Sequence, residues 1–229
     1  MIRLTLPHHY DFGADADVVG ENLLRPDAWD RLRLRTNGPF SIAADRAELE
    51  RQADERPELE ARMRAVDAVL RERGAGSVAS YGVGGGVAEL WLLRIAPNRR
   101  LLLTDYAPET VKRLGHLLPE ADVSRYDLIR EPPLDADVHL FHRIDTELDN
   151  RQWRDVCSRF SGTTLVVIAG EVLPVSEIPR QLMAAIRNRG ATAAGWTRTI
   201  PALESLWRGT HRGEQRVFGD LDGWVLDPR

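Results

Sequence analysis

The chain has one cysteine, one lysine and no apolar run long enough to cross a bilayer. Cys157 alone cannot form an intrachain disulfide or a multi-cysteine zinc site, and its helical-looking surroundings make it a small core residue. Lys112 is the single lysine, so arginine carries nearly all the positive charge, a bias we assign to overall composition. The longest apolar run, Leu165 to Ala169, is far shorter than a membrane span, and the first residues lack an apolar signal core. A cytoplasmic protein is the simplest expectation. No Gly-Lys-Ser/Thr occurs, which excludes a P-loop. A net charge of −4 argues against a dedicated nucleic-acid surface, which needs local positive charge.

What is present fits a soluble globular chain of 229 residues, 43% hydrophobic and 29% charged, long enough for one α/β domain with an appendage. Ala16 to Leu34 can form a helix broken at Pro26. Adjacent His8 and His9 diverge on any regular element and do not suit one metal. Residues 44–73 are rich in Ala, Glu and Arg and free of β-branched runs. Pro57 fits a first helical turn and should divide them into two helices. In the second, Leu59, Met63, Val66 and Leu70 share a face, and Glu58–Arg62, Glu60–Arg64 and Asp67–Arg71 are spaced for ion pairs. Residues 1–75 therefore read as a helical extension or substrate lid, and 76–229 as a separate domain.

From Gly76 onward, strands and helices alternate. Strands are expected at Ser77–Tyr81, Arg100–Thr104, Ala121–Tyr126, Ala136–Phe141, Thr163–Ala169, Thr192–Ile200 and Gln215–Leu226. Helices are expected at Ala88–Ile95, Pro108–Leu117, Asn150–Phe160 and Ser176–Asn188. The pattern predicts an α/β fold with a mostly parallel, doubly wound sheet. The last two strands, joined by Ala202–Arg208 and a polar stretch to Glu214, would form an antiparallel hairpin closing it.

The densest glycine cluster, Tyr81-Gly82-Val83-Gly84-Gly85-Gly86, lies between the first of these strands and the helix after it. Glycine admits φ > 0 and close backbone approach, and a helix N-terminus offers free N–H groups to a ligand. Asp105 ends the next strand, nineteen residues after Gly86. A carboxylate there can accept from both hydroxyls of a ribose. Asp127 ends the third strand and can accept from an adenine amine, with Tyr126 and Leu128 as flat apolar flanks. All three fall at carboxyl ends of strands, where open α/β sheets bind ligands. Together they describe a nucleoside site. A dinucleotide fingerprint would need a glycine where Val87 stands, which argues against a nicotinamide-dependent oxidoreductase.

The G-x-G-x-G turn followed by Asp105 and Asp127 resembles the class I S-adenosylmethionine-dependent methyltransferases. The resemblance runs from about Val78 to Gly170 and takes in the fourth-strand segment Asp137 to Asp145. It implies a seven-stranded sheet with an antiparallel last strand. It also implies that Gly82, Gly84 and Gly86 border the methionine moiety, that Asp105 holds the ribose and that Asp127 holds the adenine amine. Tyr81, Tyr106 and Leu128 would face the same cofactor, S-adenosyl-L-methionine, whose product is S-adenosyl-L-homocysteine. The chain departs from the family at Ser80, where an acid commonly holds the ammonium group. The family's DNA amino-methylating signature is absent, since the place reads His142-Arg-Ile-Asp145. No metal is implied.

Methyl transfer needs alignment, dryness and, for a hydroxyl or amine acceptor, a base. His142 is the first candidate base because an imidazole titrates near neutral pH; Asp145 and Glu171 are the alternatives, and His139 is structural. Tyr10, Phe12 and Trp29 are candidate lid aromatics. Arg198, Arg208, His211, Arg212 and Arg216 form a basic run that could face an acidic acceptor or simply be a solvated hairpin. The expected activity is methylation of a small molecule of specialised metabolism. A cofactor-binding fold without transferase activity, serving as an interaction module, is the alternative, and a homodimer is compatible with either.

Overall fold

Local signals set the helix starts. Asp45 accepts from the Glu48 amide at 2.9 Å and caps α2 (Arg46–Asp54), while Glu48 reaches back to the Ala44 amide at 2.7 Å. Pro57 is the first residue of α3 (Pro57–Glu72), so the break falls where a proline is tolerated. Asp149 and Gln152 form a reciprocal capping box on α6 (Asn150–Arg159). The computed structural model describes residues 2–8, 26–35, 40–187 and 195–229. Tyr10 and Phe12 lie outside them, as do the ends of the helix expected at 16–34 and of the strand expected at 192–200.

In chain order the elements are β1 (Thr5–His8), α1 (Pro26–Arg33), α2, α3, β2 (Ser77–Tyr81), α4 (Val87–Ile95), β3 (Arg100–Asp105), α5 (Pro108–Leu117), β4 (Asp122–Arg125) and β5 (Val138–His142). After α6 come β6 (Thr164–Ile168), a short 3-10 turn (Val175–Glu177), α7 (Ile178–Arg187), β7 (Gly195–Arg198), α8 (Ile200–Glu204), β8 (His211–Phe218) and β9 (Leu221–Pro228). Seven strands form one sheet in the order β4-β3-β2-β5-β6-β9-β8. The first five are parallel; β9 runs antiparallel to β6 and pairs antiparallel with β8. The order reverses between β2 and β5, the switch point where such sheets open a crevice.

Side-chain alternation sends the strands' apolar residues to two layers. Val78, Leu101, Leu103, Leu140, Val166 and Ile168 pack with Leu49, Met63, Val66, Leu70 and Leu90 of α2–α4. Ala79, Tyr81, Phe141, Leu165, Val167 and Trp224 pack with Trp153, Val156 and Cys157 of α6 and with Trp207. Cys157 is buried, and burial pushes its thiol up to about 12. No helix among the described residues is long and apolar enough to cross a membrane.

Two strand expectations need correction. Gly195–Arg198 is no part of the main sheet; it pairs antiparallel with β1 in a separate two-stranded sheet. Its slot beside β6 is taken by β9, whose Trp224, Val225 and Leu226 are apolar on both faces, as an inner strand requires. Gln215–Leu226 is not one strand either. The chain reverses at Gly219 (φ 64°) and Asp220, with Phe218 paired to Leu221, so the hairpin lies inside that segment. One ion pair also moves. Arg64–Glu60 and Arg71–Asp67 form at 2.6 and 2.9 Å, but Arg62 leaves Glu58 and pairs with Asp220 through two hydrogen bonds of 2.6 and 2.8 Å.

Candidate cofactor site

The glycine turn joins β2 to α4 at the switch point. Gly82, Gly84 and Gly86 all take positive φ, at 67°, 62° and 77°. Gly82 has a second reason to lack a side chain: a Cβ there would lie 2.7 Å from Ile144 Cγ2. Gly86 caps α4, and a Cβ there would meet Leu114 Cδ2 at 2.8 Å.

Beside the turn is a cavity of about 150 Å³. Tyr81 and Gly82 line it from β2, Thr104 and Tyr106 from β3, and Tyr126, Asp127, Leu128 and Ile129 from the end of β4. Ile144, Glu147, Leu148 and Gln152 close it from the β5–α6 link. The volume suits one ring system and is below that of pockets enclosing whole drug-sized ligands. Tyr81 forms a rigid wall. Its ring packs 5.1 Å from Tyr126 and 5.2 Å from Phe141, and its hydroxyl meets His139 Nδ1 at 2.9 Å. Burial pushes the Tyr81 phenol upward and His139 down to about 4, so both are neutral. Asp127 accepts from the Ile129 amide at 3.0 Å on Oδ1 and pairs with Arg130 Nε at 3.4 Å on Oδ2, and its side chain stays 39% exposed.

Gly84, Gly86 and Asp105 do not line this cavity. Asp105 is 1% exposed and accepts three hydrogen bonds: from Ala107 N at 3.0 Å on Oδ1, and from Gly84 N at 3.0 Å and Arg33 Nη1 at 2.8 Å on Oδ2. Arg33 is the last residue of α1; it also donates to Thr110 Oγ1 at 3.3 Å and stacks over the Trp29 ring at 4.9 Å. Trp29 therefore supports Arg33 and packs with Leu32 and Ala107; it is buried and does not line the cavity. Asp30 anchors the same helix, accepting from Thr110 N at 2.9 Å and Glu109 N at 3.2 Å at the start of α5.

Two carboxyls near the site are held in a less ionised state. Glu147 is pushed up to about 7 by burial, opposed by Arg33 and reinforced by Asp105 and Asp145. Glu89, 2% exposed in the first turn of α4, is pushed up to about 7, chiefly by burial. It accepts from Ser80 Oγ at 2.8 Å. Ser80 thus faces a buried acid behind the glycine turn.

The candidate bases are dispersed. His142 does not line the cavity. Its Nε2 is buried without a hydrogen-bond partner, and burial, then Arg143 and Arg62, push it down to about 3. Asp145 is 3% exposed and accepts from Gly170 N at 2.5 Å and Glu171 N at 3.5 Å, which makes it a brace for the loop after β6. Glu171 lines a separate depression with Val172 and Arg180. The C-terminal basic run is divided: Arg208, His211 and Arg212 line one depression, Arg216 pairs with Glu72 and Glu214, and Arg198 lies apart. Arg198 is buried and donates to the Asp145 and Leu148 carbonyls and to Asn150, fixing the β5–α6 link; His211 is buried against the Phe160 and Thr163 carbonyls.

Arg33 and Glu147 carried no sequence signal. Arg33 is one arginine among several in a helix and meets Asp105 across 72 positions; Glu147 sits in a loop with no motif.

No protein-family profile matches the chain, and no curated protein matches it in sequence. Solved structures share its fold. A human N-acetylserotonin methyltransferase in complex with S-adenosylmethionine is 16% identical with a TM-score of 0.57, covering 73% of this chain and 51% of its own. The mitomycin 7-O-methyltransferase MmcR is 17% identical with a TM-score of 0.60, covering 95% and 76%. PigF with S-adenosylhomocysteine is 11% identical with a TM-score of 0.62, covering 91% and 61%. The chain spans about half the length of the N-acetylserotonin enzyme. It has the fold of the class I methyltransferases.

Proposed function

We propose that this chain transfers a methyl group from S-adenosylmethionine to a small-molecule acceptor of specialised metabolism. The observation that carries the reading is the cavity at the switch point, where Tyr81, Gly82, Tyr106, Asp127 and Leu128 converge from the carboxyl ends of three adjacent strands. In this reading the Tyr106, Tyr126 and Leu128 surfaces, which line one cavity, take the flat ring, and Asp127 beside them accepts from its exocyclic amine. Asp105 is the acid for the sugar hydroxyls, and the Gly82–Gly86 turn allows the amino-acid end to approach the main chain. S-adenosylmethionine, when bound, supplies a sulfonium methyl open to in-line attack. The protein contributes alignment and a dry wall from Ile144, Leu148 and Leu128. Glu147 is the wall carboxyl best suited to take the acceptor's proton, because it lines the cavity and burial pushes it up to about 7. His142, half-buried and not among the residues that line the cavity, is less suited. Of the first 75 residues, α1 supplies a lid, while α2 and α3 pack on the sheet.

The experiment is transfer of labelled methyl from S-adenosylmethionine to a panel of phenols, with release of S-adenosylhomocysteine followed. Turnover with any member supports the reading. The occupied Asp105 favours a second reading, cofactor binding without transfer; that reading expects S-adenosylhomocysteine to bind and no acceptor to turn over.

A further inference from the structure

Asp105 accepts on both oxygens, and Oδ2, which takes Gly84 N and Arg33 Nη1, has no lone pair left for a sugar hydroxyl. Its side chain is fully buried, and its three donors are two backbone amides and Arg33. The amides of Gly84 and Ala107 are fixed by the turn and by the β3–α5 link. Arg33 is therefore the donor that can leave. Its guanidinium is 8% exposed, so losing Asp105 without a replacement anion would strand a buried charge. A ligand anion lying over the glycine turn would reach it, because Arg33 Nη2 lies 3.4 Å from where a Cβ of Gly84 would be. Ser80 is turned toward Glu89 and offers no charge to the amino-acid end of a ligand.

We infer that Arg33 is a specificity-determining residue that exchanges Asp105 for the carboxylate of an amino-acid-bearing nucleoside. A ligand with that carboxylate satisfies Arg33 as its ribose takes Asp105. A nucleoside thioether without it must either compete with Arg33 for Asp105 or leave the guanidinium unpaired. The arrangement makes the site selective for the whole sulfonium amino acid over its truncated nucleoside. This inference rests on the cofactor reading above.

Calorimetry with S-adenosylhomocysteine and with 5′-methylthioadenosine, on wild type, Arg33→Gln and Arg33→Lys, tests it. Wild type should bind S-adenosylhomocysteine about tenfold or more tighter than methylthioadenosine, as a charged hydrogen bond implies. Arg33→Gln should gain affinity for methylthioadenosine and gain none for S-adenosylhomocysteine, closing the gap. Arg33→Lys keeps the charge without the planar fork, should retain part of the gap and serves as the comparison if the glutamine variant does not fold. Equal shifts for both ligands, or a wider gap, would overturn the role of Arg33 while leaving the cofactor reading standing. Binding of neither ligand to any of the three proteins would overturn both.

Discussion

A methyl group on Gly82 would collide with Ile144 and force a side chain into a left-handed backbone (φ 67°). Gly82→Ala is therefore expected to lose about 1–3 kcal/mol of stability, read by urea unfolding, and to weaken S-adenosylhomocysteine binding as Ile144 shifts into the cavity. At Asp105 the cost is electrostatic. Asp105→Ala leaves Arg33 buried without its partner, so unfolding free energy should fall by about 3–5 kcal/mol, and Arg33→Gln in the same protein should recover part of the loss. An additive double variant would contradict coupling between the two. Glu89 gives a pH signature. Its carboxyl, ordinarily at 4.5, is pushed up to about 7 in the fold, so the folded state holds more protons than the unfolded state between those values. Stability contributed there falls as pH rises through the window. Glu89→Gln should gain on wild type from pH 4.5 to 7 and hold a constant lead above it; a pH-independent difference would mean that Glu89 is not the titrating group. At this scale Gly82 and Asp127, each marked by its place at the end of a strand, were legible in the sequence and line the cavity. Arg33 was invisible because burial and a partner 72 positions away leave no mark on local spacing.

Among elements, α1 is the one on which access to Asp105 depends. Asp30 fixes it by capping the first turn of α5 through the Glu109 and Thr110 amides. Asp30→Ala should cost about 0.5–2 kcal/mol, the loss of an N-cap, and should raise the hydrogen-exchange rate of the Thr110 amide; unchanged exchange would mean that the cap is not what holds α1 down. Helix limits were legible where proline or a capping acid wrote them: Pro57, Pro108 and Asp149 start α3, α5 and α6 as the sequence implies. The strand at Gly195–Arg198 was misplaced because an isolated period-two pattern does not state its partner. Only competition with the more apolar β9 for the edge of β6 decides that. The hairpin reversal at Gly219-Asp220 carries a glycine signal, but the strand-like residues on both sides make the segment read as one strand.

Across the molecule, two apolar layers enclose a sheet whose strand order turns back between β2 and β5, and the aromatic-walled cavity opens at that reversal. The layered α/β architecture follows from alternation of strands and helices. What alternation does not encode is the long-range contact beside the glycine turn, where Arg33 of α1 rests on Asp105. The central claim is that this cavity takes the nucleoside end of S-adenosylmethionine. Calorimetry of the wild-type protein with S-adenosylhomocysteine, and with NAD as control, tests it most directly. The account predicts saturable binding near micromolar Kd, about −8 kcal/mol, for S-adenosylhomocysteine and none for NAD. NAD binding alone, or no heat with either ligand at saturating concentration, would contradict it.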